Sequence, residues 1–265
     1  MAIDNAATFL ANPLTFIAGS PIVLDQIGQN MLLGGGFPPV NNQRSRFTLS
    51  TGAPGVAPAP GSLPRLRMQP AAVAAGGVVP QPPLAPLATL DAYYCHAGVG
   101  GVALNALPYV DIPIAPGPAD AHLLFTTGMN GCALFVASAV DPAAPALAAG
   151  HWRVLHDPSH RSLAALHAGN YVIHFAAYVD AVQPGPVPAA WAAAPIVRNY
   201  NPNNYPFMLP PPAMPINQRV ITNFLWWDGA HWNFGSKHYH LLGASPSPID
   251  APPGAGPSST QSCAL

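Results

Sequence analysis

The stretch Leu124-Phe125-Thr126-Thr127-Gly128-Met129-Asn130-Gly131-Cys132-Ala133-Leu134-Phe135-Val136-Ala137-Ser138-Ala139 decides how the chain is read. One apolar run, His122–Thr126, ends at a tight turn spanning Gly128 to Gly131, and a second run, Cys132–Ala139, opens on a cysteine. Short runs of apolar and β-branched residues bounded by Gly, Asn, Asp or Pro are strand signals. The same pattern recurs at Val99–Ala103, Trp152–His156, Tyr171–Tyr178, Val220–Trp227 and His231–Leu242, with Ser162–Ala168 as a brief helical segment. Asp228-Gly229 between the last two runs is a hairpin signal, because those residues tolerate the backbone of a tight turn. Strands outnumber helices and no βαβ alternation appears. This predicts an α+β fold, a sandwich of mixed or antiparallel β-sheets with few flanking helices.

Outward from this core the composition changes. Residues 1–30 read as a short helix and a strand centred on Ile22-Val23-Leu24. Residues 34–90 are rich in Gly, Pro and Ala and read as an irregular linker or surface loops. Four of the nine basic residues, Arg44, Arg46, Arg65 and Arg67, fall there, and a docking arm for an acidic partner is the second reading. The expected organisation is a Pro/Gly/Ala-rich segment at 1–86 packed on or leading into the core, a core at 87–243, and a flexible tail at 244–265. A further Pro-rich stretch covers 184–215.

Charge narrows the chemistry. The chain has 265 residues and 50% hydrophobic content, with 9 basic and 10 acidic residues; every acid is Asp and Lys237 is the sole lysine. Paired-glutamate catalysis is therefore excluded, and a lysine Schiff base has one candidate. A formal net charge of −1 offers no electrostatic footprint for nucleic acid. Half-hydrophobic composition opposes generic disorder. Residues 68–90 lack charge but carry five prolines, which rules out a spanning helix there. No basic residue precedes Arg44, so no standard signal peptide is expected. The cysteines, Cys95, Cys132 and Cys263, are odd in number and lack a C-x-x-C pair, which predicts at least one thiol rather than a disulfide scaffold.

Cys132 stands at a strand mouth flanked by glycines, where backbone N–H groups can approach a carbonyl oxygen as an oxyanion hole requires. A thiol nucleophile needs a histidine base within reach. If Cys132–Ala139 and Trp152–His156 form an antiparallel pair in which partner numbers sum to 288, Cys132 faces His156 directly, with β-carbons roughly 5 Å apart. A slip of one residue would put them on opposite faces. His160, beyond Pro158, is the second-choice base. Asp157 is either an orienting carboxylate or a turn starter. A cysteine in an apolar strand is also an ordinary core residue, and spacing alone leaves both readings open.

These residues resemble the cysteine glutamine-deamidase superfamily, which includes the cytotoxic necrotizing factor toxins, the Burkholderia lethal factor type and the chemotaxis-receptor deamidase CheD. The resemblance rests on Thr126 followed by Gly131-Cys132, an apolar strand, and a histidine closing the next strand, over roughly residues 114–160. Pro116-Gly117 and Leu124-Phe125-Thr126 are similar to the lethal-factor approach to its Gly-Cys, and Asn223–Leu242 to its closing aromatic hairpin. The run Gly131-Cys132 through Asp141-Pro142 with a later histidine is similar to CheD. The resemblance implies Cys132 as nucleophile, His156 as base and later acid, Thr126 orienting the imidazole, and backbone at Asn130 and Gly131 stabilising the oxyanion, with no cofactor and no metal. It implies a monomeric bacterial toxin or effector, secreted and acting in a host cytosol, whose substrate is a protein such as a GTPase or translation factor. The 24-residue interval from Cys132 to His156 requires an inserted loop at 141–150. Two rival readings are another thiol hydrolase or transglutaminase, and a non-catalytic secreted binding or adhesion module.

Other candidates are weaker. His231, His238, His240 and Asp228 lie around the last hairpin and are read as a solvated face rather than a zinc site. Trp226, Trp227 and Trp232 are read as core packing. Cys95 and His96 are adjacent, so on a strand they point to opposite faces and form no dyad.

Overall fold

The computed structural model describes residues 3–19, 22–24, 41–52, 58, 62–69, 87–98, 101–126, 132–158, 170–177, 196–197, 217–242, 245–248 and 260–265. Its longest strands form the hairpin signalled by Asp228-Gly229. They are β12 (Asn217–Trp227) and β13 (Trp232–Leu242), paired from Asn217 opposite Leu242 to Trp227 opposite Trp232. The connection works for local reasons. The Asp228 carboxylate accepts hydrogen bonds from the Ala230 and His231 backbone N–H groups and from Asn233 Nδ2, which hold it down at about 2. Gly229 takes φ +103°, a conformation a side chain would resist.

The remaining elements, in chain order, are β1 (Ile3–Asp4), α1 (Ala6–Ala11), α2 (Pro13–Gly19), β2 (Val23–Leu24), β3 (Arg44–Thr51), β4 (Pro64–Gln69), β5 (Thr89–Cys95), β6 (Tyr109–Pro113), β7 (Leu123–Thr126), β8 (Ala133–Ala139), β9 (His151–Asp157), β10 (Val172–Ala177), β11 (Ile196–Val197), β14 (Ser245–Pro248) and β15 (Thr260–Ala264). Ten strands make one sheet in the order β14-β13-β12-β7-β5-β3-β4-β2, with β1 added to β3 and β15 to β13. Five make the second sheet, β11-β10-β8-β9-β6. Most pairs are antiparallel, while β5 with β7, β2 with β4 and β10 with β11 are parallel. The fold is thus an α+β sandwich of mixed sheets with two short helices, as the strand pattern predicts.

Strand alternation sorts the apolar residues into three layers. Between the sheets lie Cys95, Leu124, Leu134, Val136, Val154, Phe175, Leu225, Trp232 and Phe234. Trp232 is fully buried and donates its Nε1–H to the Pro113 carbonyl, tying the large sheet to β6. Phe9 and Ile17 of the helices cover the outer face of the large sheet over Phe47, Leu49, Phe125 and Phe224. Leu155, Phe135, Ile173 and Tyr171 form the outer layer of the small sheet.

The structure corrects three expectations. Residues 34–90, read as a linker, contain β3 and β4, and β3 pairs with both β4 and β5 in mid-sheet. The boundary expected at residue 87 therefore runs through a single sheet. Proline and glycine averaged over that stretch mask two short alternating runs: Ser45, Phe47 and Leu49 are buried while Arg44 and Arg46 are exposed. The tail at 244–265 supplies β14 and β15, which pair along β13. Gly101–Ala103 is not strand; it leads into a 3-10 turn at Leu104–Ala106. There Gly98 packs so tightly against Leu107 that a β-carbon would lie 2.3 Å from its Cδ2. The helix expected at Ser162–Ala168 lies outside the described residues.

The loop between β8 and β9 is held from below. Arg153, buried, forms an ion pair with Asp111 and donates to the carbonyls of Pro145 and Ala146. Its guanidinium also sits 3.7 Å from the centre of the Tyr109 ring.

Candidate active site

β7 and β8 are consecutive but do not pair: β7 belongs to the large sheet and β8 to the small one. The chain crosses the sandwich between Thr126 and Cys132, so these two residues open opposite walls at the same end of the fold. β5 and β9 end there too, joined by a parallel bridge between Ala97 and His156 and by the Gly98 N–H donating to the His156 carbonyl.

The observed register between β8 and β9 pairs Leu134 with His156 and Ala133 with Asp157, a sum of 290 rather than 288. The slip is two residues, so the face is preserved. Cys132 and His156 are diagonal neighbours on the inner face, at a β-carbon separation of roughly 7 Å, rather than directly opposite. Cys132 is half-buried against the inter-sheet core, and His156 is fully buried. Asp157 alternates to the other face, where its partner Ala133 belongs to the outer layer, so it does not orient the imidazole.

Thr126 does. Its Oγ1 lies 2.9 Å from the Cys95 carbonyl and 2.6 Å from His156 Nδ1. A hydroxyl has one hydrogen, and a carbonyl can only accept, so that hydrogen goes to Cys95. The bond to the imidazole must then run the other way, from Nδ1–H to Oγ1. This fixes the neutral tautomer with Nε2 as the unprotonated nitrogen. Burial also pushes the His156 pKa down to about 3, keeping the ring neutral at physiological pH.

The other thiol–histidine neighbourhood is different. Cys95 is buried, its Sγ 3.7 Å from the Val154 carbonyl, and desolvation pushes its pKa up to about 12. His96 points to the opposite face, against the Tyr94 ring and Gln43. No protein-family model and no curated protein matches this sequence.

Among the described residues, no cluster of three or more His, Cys or Asp side chains is arranged to hold a metal ion. His160, Gly131 and Asn130 lie outside the described residues, as do the side chains of His238 and His240. Trp232 and, in part, Trp226 and Trp227 pack into the cores. One contributor escapes the sequence reading: the Cys95 carbonyl, a backbone group with no sequence signal.

Proposed function

We propose that this chain is a cysteine-dependent deamidase that hydrolyses the side-chain amide of a glutamine in a protein substrate. The observation that carries the reading is the chain Cys95 carbonyl–Thr126–His156 on the inner face that Cys132 shares. A tautomer-fixed neutral imidazole beside a half-buried thiol is the arrangement that activates a cysteine.

In the first step the Cys132 thiol gives its proton to His156 Nε2 as Sγ attacks the amide carbon. The imidazolium keeps its Nδ1–H on Thr126. The C–N bond then breaks and its nitrogen takes the Nε2 proton, leaving as ammonia and a thioester. Water, deprotonated by Nε2, attacks the thioester carbon and returns the proton to sulfur, releasing glutamate. The resemblance to the lethal-factor and necrotizing-factor deamidases supports the same chemistry, and with it a secreted bacterial effector acting on a host GTPase or translation factor.

The experiment is labelling with a thiol-reactive probe at neutral pH, together with intact mass of candidate targets. Cys132 labels rapidly, His156→Ala suppresses labelling by about 10²-fold or more, and the target gains about one dalton per glutamine, the difference between NH2 and OH. An unreactive Cys132 would sink the enzyme reading and favour a binding module. A reactive Cys132 that joins amines to glutamine instead would favour a transglutaminase.

A further inference from the structure

Most of the chain's positive charge lies outside the site described above. Four of the nine basic residues, Arg44, Arg46, Arg65 and Arg67, form two Arg-x-Arg pairs on the neighbouring strands β3 and β4. Phe47 and Leu49 of β3 and Leu66 of β4 belong to the core under the helices, so alternation turns all four arginines to the other, inner side of the large sheet. That is the side from which Thr126 meets His156.

The small sheet stops short of this region. Its last strand, β6, is hydrogen-bonded through Tyr109 and Asp111 to Asn41 and Asn42, just ahead of β3. Beyond that edge the inner face carries Arg44, Arg46, Thr48 and Ser50 on β3 and Arg65 and Arg67 on β4. Such a face is made for water or a polar partner rather than for a covering apolar layer. Thr48 and Ser50 are buried and lie out of a ligand's reach, which leaves the arginines as its contact groups.

The register keeps the charges apart. Arg67 stands opposite Thr48 and Arg65 opposite Ser50, while Arg46 stands between Gln69 and Asp91. No two arginines are direct cross-strand partners. Arg46 and Arg67 are diagonal neighbours, and Arg65 follows at the two-residue repeat, with roughly 7 Å between successive members. Arg44 is engaged by Asp91 and by the Ala119 carbonyl. Arg46 is exposed and makes no ion pair among the described residues. Arg65 and Arg67 are half-buried, each with a contact of its own. A second acid at this face, Asp4, pairs with Ser50 and accepts the Ala6 and Ala88 backbone N–H groups.

We propose that this face is an exosite for an acidic, extended segment of the protein substrate, held by Arg46, Arg67 and Arg65. Alternate side chains of an extended peptide lie about 7 Å apart, the spacing of the arginine row, so carboxylates at every second position meet one guanidinium each. The arginine fork suits them, because it binds a carboxylate through two parallel hydrogen bonds. Asp91, Asp4 and a net charge of −1 set the chain against a long polyanion such as nucleic acid. Arg46 stands four residues and one strand from Cys95, roughly 14 Å away, so a segment bound here anchors a substrate whose glutamine reaches Cys132. The identity of the partner rests on the deamidase reading; the binding of an acidic segment does not.

The test is fluorescence anisotropy of the intact chain with a fluorescein-labelled peptide of alternating Asp and Ser. A peptide of the same composition with its Asp residues in one block, and an oligothymidylate of equal charge, are run beside it. The alternating peptide is expected to bind best and to weaken as salt rises from about 0.05 to 0.5 M. Arg46→Glu, at an exposed position, is expected to weaken it by about fivefold to tenfold, and Arg46→Lys, which keeps the charge without the fork, by less. No binding at low salt, binding indifferent to Arg46→Glu, equal binding of the two peptides, or tighter binding of the oligothymidylate overturns the exosite. Cys132 labelling of the same protein separates the two readings. Rapid, His156-dependent labelling without peptide binding sinks the exosite alone, whereas an unreactive Cys132 with Arg46-dependent binding keeps the acid-binding face and removes the deamidase.

Discussion

Cys95 closes β5 in one sheet and Cys132 stands just before β8 in the other, each near a histidine, yet their surroundings differ. Cys95 is next to His96 in sequence and separated from it by strand alternation; its sulfur faces a carbonyl in the dry core and its thiol is pushed up to about 12. Cys132 is 24 residues from His156, but a crossover between sheets and an antiparallel pairing bring both to one face. Sequence adjacency on a strand disperses side chains, while register and layering gather them. The contrast also gives Cys95 a part in the site: its backbone carbonyl, not its sulfur, accepts the Thr126 hydroxyl hydrogen bond and so sets the histidine tautomer.

The sharpest break of this comparison is a pair of substitutions. Cys132→Ser is expected to abolish deamidation, by as much as about 10⁶-fold if the residues act as a unit. Cys95→Ala keeps the carbonyl in place and is expected to leave activity near wild type, at a cost of about 1 kcal/mol for the lost buried sulfur. Rates against a purified target, with urea unfolding of each variant, check both. Activity that survives in the first variant and dies in the second would reverse the assignment.

Thr126→Val is the next largest effect. It keeps the volume but removes the acceptor for His156 Nδ1–H and the donor to the Cys95 carbonyl. Two buried partners are left unsatisfied, at about 1–3 kcal/mol each. Loss of ring orientation lowers the rate on the order of 10²-fold. Thr126→Ser, which restores the hydroxyl, is expected to recover most of it; no recovery would mean that the methyl group, not the hydrogen bond, matters.

A further effect is on pH-dependent stability. His156 titrates near 3 and His96 near 4 in the fold, both depressed by burial from an ordinary 6.5. Between those values the unfolded chain binds more protons, so stability rises with pH there and is complete above about 6.5. The urea midpoint is expected to fall as pH drops from 7.5 to about 4.5, and His156→Gln should flatten part of that slope. An equal slope in the variant would show that His156 is already protonated in the native state.

Much of the architecture was legible in local pattern. The described parts of the runs at His122–Thr126, Cys132–Ala139, Trp152–His156, Tyr171–Tyr178, Val220–Trp227 and His231–Leu242 fall largely on strands because alternation and apolar runs are local properties of the chain. β3 and β4 were not legible, because Arg44, Arg46, Arg65 and Arg67 supply one face and the surrounding Pro and Gly dilute the signal. The strand expected at Val99–Ala103 is absent from its described part, Gly101–Ala103, for the converse reason: an apolar composition cannot outweigh the close approach that Gly98 makes to Leu107.

By itself, the sequence determined the inventory: no glutamate, one lysine, a thiol at a strand mouth, a histidine of matching parity, and a threonine six residues before the cysteine. It also set the parity of each strand, because a side-chain period of two survives any even slip of register. Tertiary structure decided everything that depends on which strand lies over which. It moved the pairing by two residues, sent β7 and β8 into opposite sheets, and turned Asp157 away. It also brought the Cys95 carbonyl to the Thr126–His156 pair. The physical reason is that contacts between layers join residues far apart in the chain, and no local period encodes them.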